Sequence, residues 1–205
     1  MEIFEAMETC RAIRYFKSDP VDQALIDKVL YAATRAPSPG NTQGWDLVVI
    51  TDPDRRATLG QGIAAIMAPA VEHATKAFAG PEGGVDPVQK RMLDGALNLA
   101  NRLHEIPVHI LVCGRAVYPP DTPDESFVWS ALYPATQNIL LAARSLGLGT
   151  CLTTYQKAAE PLIREVLAIP DDVYIGAYIP MGWPDRSFGQ LARKPLDTFV
   201  HTNGW

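Results

Sequence analysis

The chain has 205 residues, a length that suits one domain able to bury a core without disulfide bonds. Apolar residues make up 47% and charged residues 20%, close to ordinary globular usage, so the sequence does not predict a disordered protein. Its 18 basic and 23 acidic residues give a net charge of −5, with no basic stripe. Nucleic acid is therefore not expected as a partner, because phosphate binding needs clustered Lys and Arg.

Apolar spacing and turn residues predict helices interleaved with short strands. The predicted helices cover residues 2–9, 22–34, 53–78, 88–104, 126–146 and 158–167. The predicted strands cover residues 46–51, 108–113, 150–154 and 173–181. Loops rich in Gly or Pro are predicted at 80–87 and 118–124, and a loop-rich tail at 183–205. This arrangement predicts an α/β or α+β fold.

The cysteines and the apolar segments indicate a cytoplasmic protein. Cys10, Cys113 and Cys151 form no CxxC motif and predict no disulfide framework. The N-terminal residues lack the apolar stretch of a signal peptide. The longest apolar stretch, 131–148, is interrupted by polar residues, so it predicts a buried helix rather than a membrane span. The histidines are isolated and predict no metal site, and His109, in an apolar strand, is predicted to be a core residue.

Two features predict surfaces that need a covering partner. The helix 126–146 is apolar nearly all round, so most of its faces must be buried. The tail 183–205 has too few residues for a core of its own and must pack on the same subunit or on a partner. Its large apolar residues are Phe188, Leu191, Leu196, Phe199 and Trp205.

Several common catalytic and nucleotide-binding motifs are missing. The turn Gly147-Leu148-Gly149 follows a helix and precedes a strand, the reverse of the order in a dinucleotide-binding fingerprint. The sequence contains no Gly-Lys-Ser/Thr triplet of a phosphate-binding loop and no Gly-x-Ser-x-Gly of a serine hydrolase. Carboxylates such as Glu125 and Asp171 are read as caps and solvated charges.

Three polar segments have no obvious structural purpose. Arg11 and Arg14 are three residues apart and could serve one anion, although surface ion pairs would explain them as well. Residues 38–45 place a hydroxyl and two amides in one stiff turn, which could read the edge of a heteroaromatic ring or be an ordinary turn before a strand. Residues 193–195, Arg-Lys-Pro, could hold a phosphate or form a solvated tail.

In order and spacing, these segments resemble the FMN-dependent nitroreductase superfamily. The resemblance starts at Arg11-x-x-Arg14-x-Phe16 and covers almost the whole chain. It continues through Ala36-Pro-Ser-Pro-Gly-Asn-Thr-Gln-Gly-Trp45, the helix and glycine turn 137–149, and 193–197. Residues 150–154 and 193–197 are similar to the iodotyrosine deiodinase branch. Ala12 stands where many members have Ser, and Gly44 where the turn usually has Pro.

The resemblance implies an α+β fold with a mixed central sheet wrapped by helices, in a single domain 1–205. It also implies an intertwined homodimer with FMN at the subunit interface. Within the chain, residues 66–104 would form a lid or insertion, and residues 183–205 a C-terminal extension packed on the partner subunit.

The same resemblance implies which residues bind the flavin. Arg11 and Arg193, with Lys194 beside them, would hold the phosphate, and Arg14 would lie by the ring and the ribityl chain. Thr154 would place a hydroxyl near N5 and favour one-electron steps, the only catalytic role assigned to a side chain. The remaining implied contacts are Ala12 and Ile13; Ser38, Pro39 and Asn41, from the other subunit; Gln43, by the ring or the ribityl chain; and Leu152 and Thr153, beside the ring.

The implied function is an FMN oxidoreductase that uses NADH or NADPH to reduce a small, planar, electron-poor acceptor. Nitroaromatics, quinones and activated alkenes all fit this description. A reductive dehalogenase of the deiodinase type is the nearest alternative, but residues 66–104 contain no tyrosine for the zwitterion clamp of that branch. Another branch converts the flavin into a cobamide base, and no residue favours it decisively. A flavin carrier or redox sensor without turnover would share the same contacts.

Overall fold

The computed structural model describes residues 1–79 and 84–205, so part of the predicted loop 80–87 lies outside the described residues. The helices are α1 (Ile3–Thr9), α2 (Gln23–Ala33), α3 (Pro53–Ala77), α4 (Pro87–Asn101), α5 (Glu125–Ser145), α6 (Tyr155–Ala158) and α7 (Glu160–Leu167). The strands are β1 (Trp45–Ile50), β2 (Val108–Gly114), β3 (Gly149–Thr150) and β4 (Tyr174–Gly182). Short 3₁₀ turns cover Pro39–Asn41, Leu103–Glu105 and Leu196–Thr198.

The strands form one sheet in the order β1-β2-β4-β3, and neighbouring strands run antiparallel. A parallel bridge between Ala12 and Thr150 ties the segment after α1 to the β3 edge. The mixed character expected of the sheet is confined, in the residues described, to this bridge. It matters for the site because it places the Arg11–Arg14 segment beside the end of β3.

Helices cover both faces of the sheet, as the α+β prediction requires. Along β2, Ile110 and Val112 belong to the core under α2 and α5, whereas Leu111 and Cys113 belong to the core under α3, α4 and α7. Successive side chains of a strand point to opposite faces, so β2 must be apolar throughout to be buried on both. Its described residues are all buried.

Aspartates define where the long helices begin. Asp52, Asp86 and Asp124 each accept hydrogen bonds from backbone N–H groups in the first turn of α3, α4 and α5. Such caps satisfy donors that have no partner within the helix. Pro follows the cap in α3 and α4, a position where its missing N–H costs nothing. None of the helices described is both long and apolar enough to span a membrane.

The strand predicted over 150–154 is wrong in length. Only Gly149–Thr150 pair as a strand, and Thr153 makes a single further bridge to Tyr178. The helix predicted over 158–167 is also wrong in extent. The helical conformation starts earlier, with α6, is interrupted at Ala159, and resumes with α7. Pro161 explains the break: its ring would clash with the carbonyl four residues earlier if one helix continued.

His109 is a satisfied core residue, as predicted. Its Nε2 lies 2.9 Å from the carbonyl oxygen of Leu103, and its Nδ1 lies 2.7 Å from the hydroxyl of Tyr178. A carbonyl can only accept, so Nε2 carries the proton and Nδ1 accepts from the tyrosine. Complete burial lowers the pKa of His109 to about 3. The ring is therefore neutral in the folded protein at neutral pH.

Large apolar side chains remain exposed at both ends of the chain. In α1, Phe4 is 73% exposed, and in the tail, Leu196 is 77% exposed and Phe199 61%. Contiguous exposed apolar surface marks interaction sites in soluble proteins. The packing of residues 183–205 on a partner subunit stays a prediction, and so does the lid assigned to 66–104. Within the chain, that segment contributes buried residues such as Leu99 and Leu103 to the core.

Candidate functional site

The segment after α1 is held by backbone hydrogen bonds to β3 and to the residues that follow β4. Ile13 N–H donates to the carbonyl of Thr150 over 2.9 Å, and Asp185 N–H donates to the carbonyl of Tyr15 over 3.0 Å. The side chains of Ile13 and Phe16 are buried, with 5% and 6% of their surface exposed. These anchors leave Arg11 and Arg14 on the outer side of the segment, where Arg11 is exposed and Arg14 is half-buried.

A cavity of about 690 Å³ lies beside this segment and is called the main cavity below. Of the predicted flavin contacts, it brings together Arg11, Ala12, Arg14, Leu152 and Arg193. Further lining comes from α1 and α5, including Phe4, Met7, Gln137 and Leu140. Its volume falls within the roughly 300–1,000 Å³ typical of cofactor and substrate sites.

The two ends of the sequence meet at this cavity through the tail. Leu191 N–H donates to the carbonyl of Glu8 in α1 over 3.0 Å. Nearby, the backbone at Gly189 lies against Arg11, since a Cβ added there would be 3.1 Å from the Arg11 Nη1 atom. These contacts bring Arg193 to the same cavity as Arg11. Lys194 is exposed next to Arg193.

The arginines of the main cavity lack carboxylate partners. Among the residues described, Arg11, Arg14 and Arg193 form no ion pair with Asp or Glu. By contrast, Arg102, Arg115 and Arg164 each pair with a carboxylate. Glu8 is the acidic residue among the lining side chains, so the cavity has an excess of positive charge. Guanidinium groups with free donors are suited to a phosphate.

Backbone donors are available where β3 ends. Cys151 and Thr153 donate their N–H groups to carbonyls of β4, at Pro180 and Tyr178. The alternate N–H groups, of Leu152 and Thr154, have no acceptor in the described part of the chain. Leu152 is 46% exposed and lines the main cavity, and Thr154 is also exposed.

Thr153 is oriented toward the protein interior. Its hydroxyl donates to the Tyr178 carbonyl oxygen over 2.8 Å, and its N–H donates to the same oxygen over 3.2 Å. Both of its hydrogen-bond donors are therefore used within the chain. Thr153 shapes the turn that presents Leu152 and Thr154, rather than offering a donor of its own.

The turn 38–43 lies away from the main cavity within one chain. Ser38 Oγ accepts from the Gln43 N–H over 2.9 Å, and Pro39 lines a separate small cavity. Asn41 and Gln43 are exposed and adopt positive φ angles of 52° and 53°. Side chains rarely adopt this region without a compensating role, and such strain is concentrated at functional sites. One chain alone does not bring this turn to the arginines.

Sequence reasoning missed two further arginines beside Arg14. Arg91, in α4, and Arg186, after β4, line a second cavity of about 410 Å³ that shares Arg11, Ala12 and Arg14 with the main one. Gly95 is one helical turn after Arg91 and leaves room for the Arg14 side chain, whose Cδ would be 3.1 Å from a Cβ at Gly95. No short motif contains either arginine, so no local signal predicted their place in the site.

The thiols near the site are not activated nucleophiles. Burial raises the pKa of Cys151 to about 11 and that of Cys113 to about 12. Burial also raises the pKa of Cys10, which lines the main cavity, and the nearby Arg144 only partly opposes this rise. Only the thiolate is nucleophilic, so these cysteines are inert at neutral pH.

The fold and the site together define an α+β protein with a cavity at the sheet edge whose lining carries an excess of positive charge. Residues 8–183 match the model of the Nitroreductase family. The chain therefore belongs to the Nitroreductase family, and the resemblance predicted from the sequence is confirmed.

Relatives from several branches match nearly the whole chain. The nitrobenzene nitroreductase of Ectopseudomonas oleovorans is 28% identical, over 93% of this chain and 93% of that protein. Iodotyrosine deiodinase 1 of Rattus norvegicus is 28% identical over 98% of this chain and 69% of that protein, in line with the predicted deiodinase similarity. A 5,6-dimethylbenzimidazole synthase of Rhodobacter capsulatus is 30% identical over 98% of this chain and 89% of that protein.

Solved structures confirm the fold. The structure of the FMN and NADPH-dependent nitroreductase NfnB of Sphigopyxis sp. strain HMH superposes with a TM-score of 0.73. The match covers 100% of both chains at 21% sequence identity. At this identity the likeness shows the common fold.

Proposed function

We propose that this chain is an FMN-dependent oxidoreductase that uses NADH or NADPH to reduce a small, planar, electron-poor acceptor. Nitroaromatics, quinones and activated alkenes are the acceptor classes concerned. The observation that carries the proposal is the main cavity, where guanidinium groups from opposite ends of the sequence converge without carboxylate partners. Relatives named for nitroreduction support the acceptor class.

The cavity residues fit FMN by charge, volume and available donors. Arg11 and Arg193, with Lys194 at the rim, would hold the phosphate, and Arg14 would lie by the ring. The unpaired N–H groups of Leu152 and Thr154 would donate to the ring edge. When bound, FMN supplies the redox chemistry, taking electrons from the nicotinamide donor and passing them to the acceptor. The role of the chain is to fix the ring, balance its charge and exclude water.

A second copy of the chain would complete the site. Ser38, Pro39, Asn41 and Gln43 would reach the flavin from the partner, which would account for the exposure and the positive φ angles of Asn41 and Gln43. The exposed apolar residues of α1 and the tail would be covered in the same homodimer. Burial of this surface is the driving force for such an assembly.

A reductive dehalogenase is the second candidate. The exposed Thr154, two residues after Leu152 of the main-cavity lining, and the deiodinase relative favour it. Against it stands the absence of tyrosine in 66–104, where the amino-acid clamp would be expected. The nitroreductase-type function therefore ranks first.

The test is a comparison of cofactor binding and turnover. Purified protein is expected to be yellow, or to become yellow with FMN, and to oxidise NADH or NADPH steadily when nitrobenzene is supplied. A yellow protein that does not turn over would be a carrier or sensor. Faster consumption of a halogenated tyrosine than of nitrobenzene would favour the dehalogenase. A preparation that stays colourless after FMN addition would refute all three functions.

A further inference from the structure

Among the residues described, the charged side chains that line the second cavity are all positive. Its volume is about 410 Å³, and this part of its lining includes Arg11, Arg14, Arg91 and Arg186 but no Asp or Glu. It adjoins the main cavity, because Arg11, Ala12 and Arg14 line both. Among the residues described, Arg91 and Arg186 also form no ion pair with a carboxylate.

Arg186 is exposed, but its neighbours hold it in place. Its guanidinium stacks over the ring of Tyr15, 3.6 Å from the ring centroid. The backbone on either side of the stack is paired, through Asp185 N–H to the Tyr15 carbonyl and through a bridge between Phe16 and Pro184. A stacked guanidinium keeps its in-plane N–H donors free for a ligand.

Arg91 approaches the same space from α4. Gly95, one turn further along the helix, lets the Arg14 side chain pack against the helix surface. Arg14 and Arg91 therefore line one cavity, and like charges in a shared space repel each other. An anion between them would remove that repulsion.

One flavin phosphate does not account for all of these arginines. In the proposed function that phosphate lies between Arg11 and Arg193 in the main cavity. Arg91 and Arg186 then remain without an anion. We propose that the second cavity binds an anionic group, a carboxylate or a phosphate, carried by the molecule that exchanges electrons with the flavin. This inference rests on the proposed function and narrows its substrates to acidic ones.

Either the electron acceptor or the nicotinamide donor could carry that group, and the experiment tests the two separately. In the acceptor arm, kcat/KM is measured for para-nitrobenzoate and for its neutral analogue para-nitrobenzamide. In the donor arm, kcat/KM is measured for NADPH and for NADH, which lacks the 2′-phosphate. The proposal expects Arg186→Gln and Arg91→Gln each to lower kcat/KM about 10-fold for one substrate, either para-nitrobenzoate or NADPH, and to leave its analogue without the extra anionic group unchanged. The loss should shrink with added salt, because both arginines are exposed.

Arg35→Gln is the matched control. Arg35 also stacks on a tyrosine, with its guanidinium 4.7 Å from the ring centroid of Tyr31, but it does not line the second cavity. This variant should leave both pairs unchanged. An equal loss of kcat/KM for both members of each pair, or the same loss in Arg35→Gln, would overturn the proposal.

Direct binding separates this inference from the proposed function. Calorimetric titration of the purified protein with para-nitrobenzoate and with 2′-AMP needs no turnover. Binding of one of them, weakened about 10-fold by Arg186→Gln, supports the anion site. If FMN is bound and reduced but neither probe binds, the inference fails and the proposed function stands. If Arg186→Gln instead weakens FMN itself, the cavity serves the flavin and the inference is refuted.

Discussion

Neutralising the arginines at the main cavity should weaken FMN but spare riboflavin. Arg11→Gln and Arg193→Gln each remove donors expected to meet the flavin phosphate. Hydrogen bonds to charged groups contribute about 1.5–3 kcal/mol, so each variant should raise the dissociation constant for FMN about 10- to 150-fold. Riboflavin has no phosphate, so its weaker binding should be nearly unchanged. The ratio of the two dissociation constants isolates the phosphate contacts from any general loss of structure.

The assay is the quenching of flavin fluorescence on titration with apoprotein, for each single variant and for the double variant. The losses in the double variant should not add, because both groups would contact one phosphate. Arg35→Gln removes an equal charge from a residue that does not line the main cavity, so it should have no effect on FMN affinity. Equal losses for FMN and riboflavin, or unchanged FMN affinity in both single variants, would refute the assignment.

Three further predictions follow from the site and the core. Gly95→Ala adds a Cβ 3.1 Å from the Arg14 side chain, so FMN affinity should fall severalfold in fluorescence titrations. The same variant should raise the stability by up to about 1 kcal/mol, because Ala has the higher helix propensity. Unchanged affinity would mean that Arg14 does not meet the flavin. In urea unfolding, the free energy of unfolding should fall by about 2 kcal/mol between pH 7 and pH 5 because of His109. The folded pKa of His109 is about 3, below the ordinary 6.5, so the unfolded chain binds the extra proton in this range. An equal pH dependence in His109→Gln would contradict this. Thr153→Ala should destabilise the protein by about 1–3 kcal/mol because it loses a buried hydrogen bond. Thr154→Ala should change the stability by less than about 0.5 kcal/mol and act only on flavin reduction, because Thr154 is exposed. Equal unfolding midpoints for the two variants would refute this distinction.

The main elements could be predicted because their signals are local. The unbroken apolar run of β2 indicated a strand buried on both faces, and the Asp52-Pro53 pair marked the start of α3. The apolar α5 indicated a buried helix. In each case the periodicity or the cap lies within the element itself.

The errors arose where tertiary contacts override local preference. Residues 150–154 are β-branched and apolar enough for a strand, but Thr153 turns its hydroxyl into a backbone contact with β4, and the pairing ends. The break before α7 could have been predicted from Pro161. Its effect was missed because the apolar spacing of 158–167 continues through the break.

The site could be predicted in part. Arg11, Arg14 and Arg193 were singled out from residue type and spacing, and they do line one cavity. Arg91 and Arg186 carry no motif, and their position depends on how α4 and the segment after β4 pack against the Arg11–Tyr15 segment. Packing of this kind is not encoded in any short stretch of sequence. The turn 38–43 lies away from the cavity within one chain, and its proposed contact with the flavin of a second chain stays a prediction.

The most direct test of the account is the crystal structure of the protein grown with FMN. The account predicts the phosphate within hydrogen-bond distance of Arg11 and Arg193 of one subunit. It also predicts Asn41 and Gln43 of a second copy against the ring. A phosphate bound away from both arginines, or a flavin enclosed by one chain alone, would contradict it.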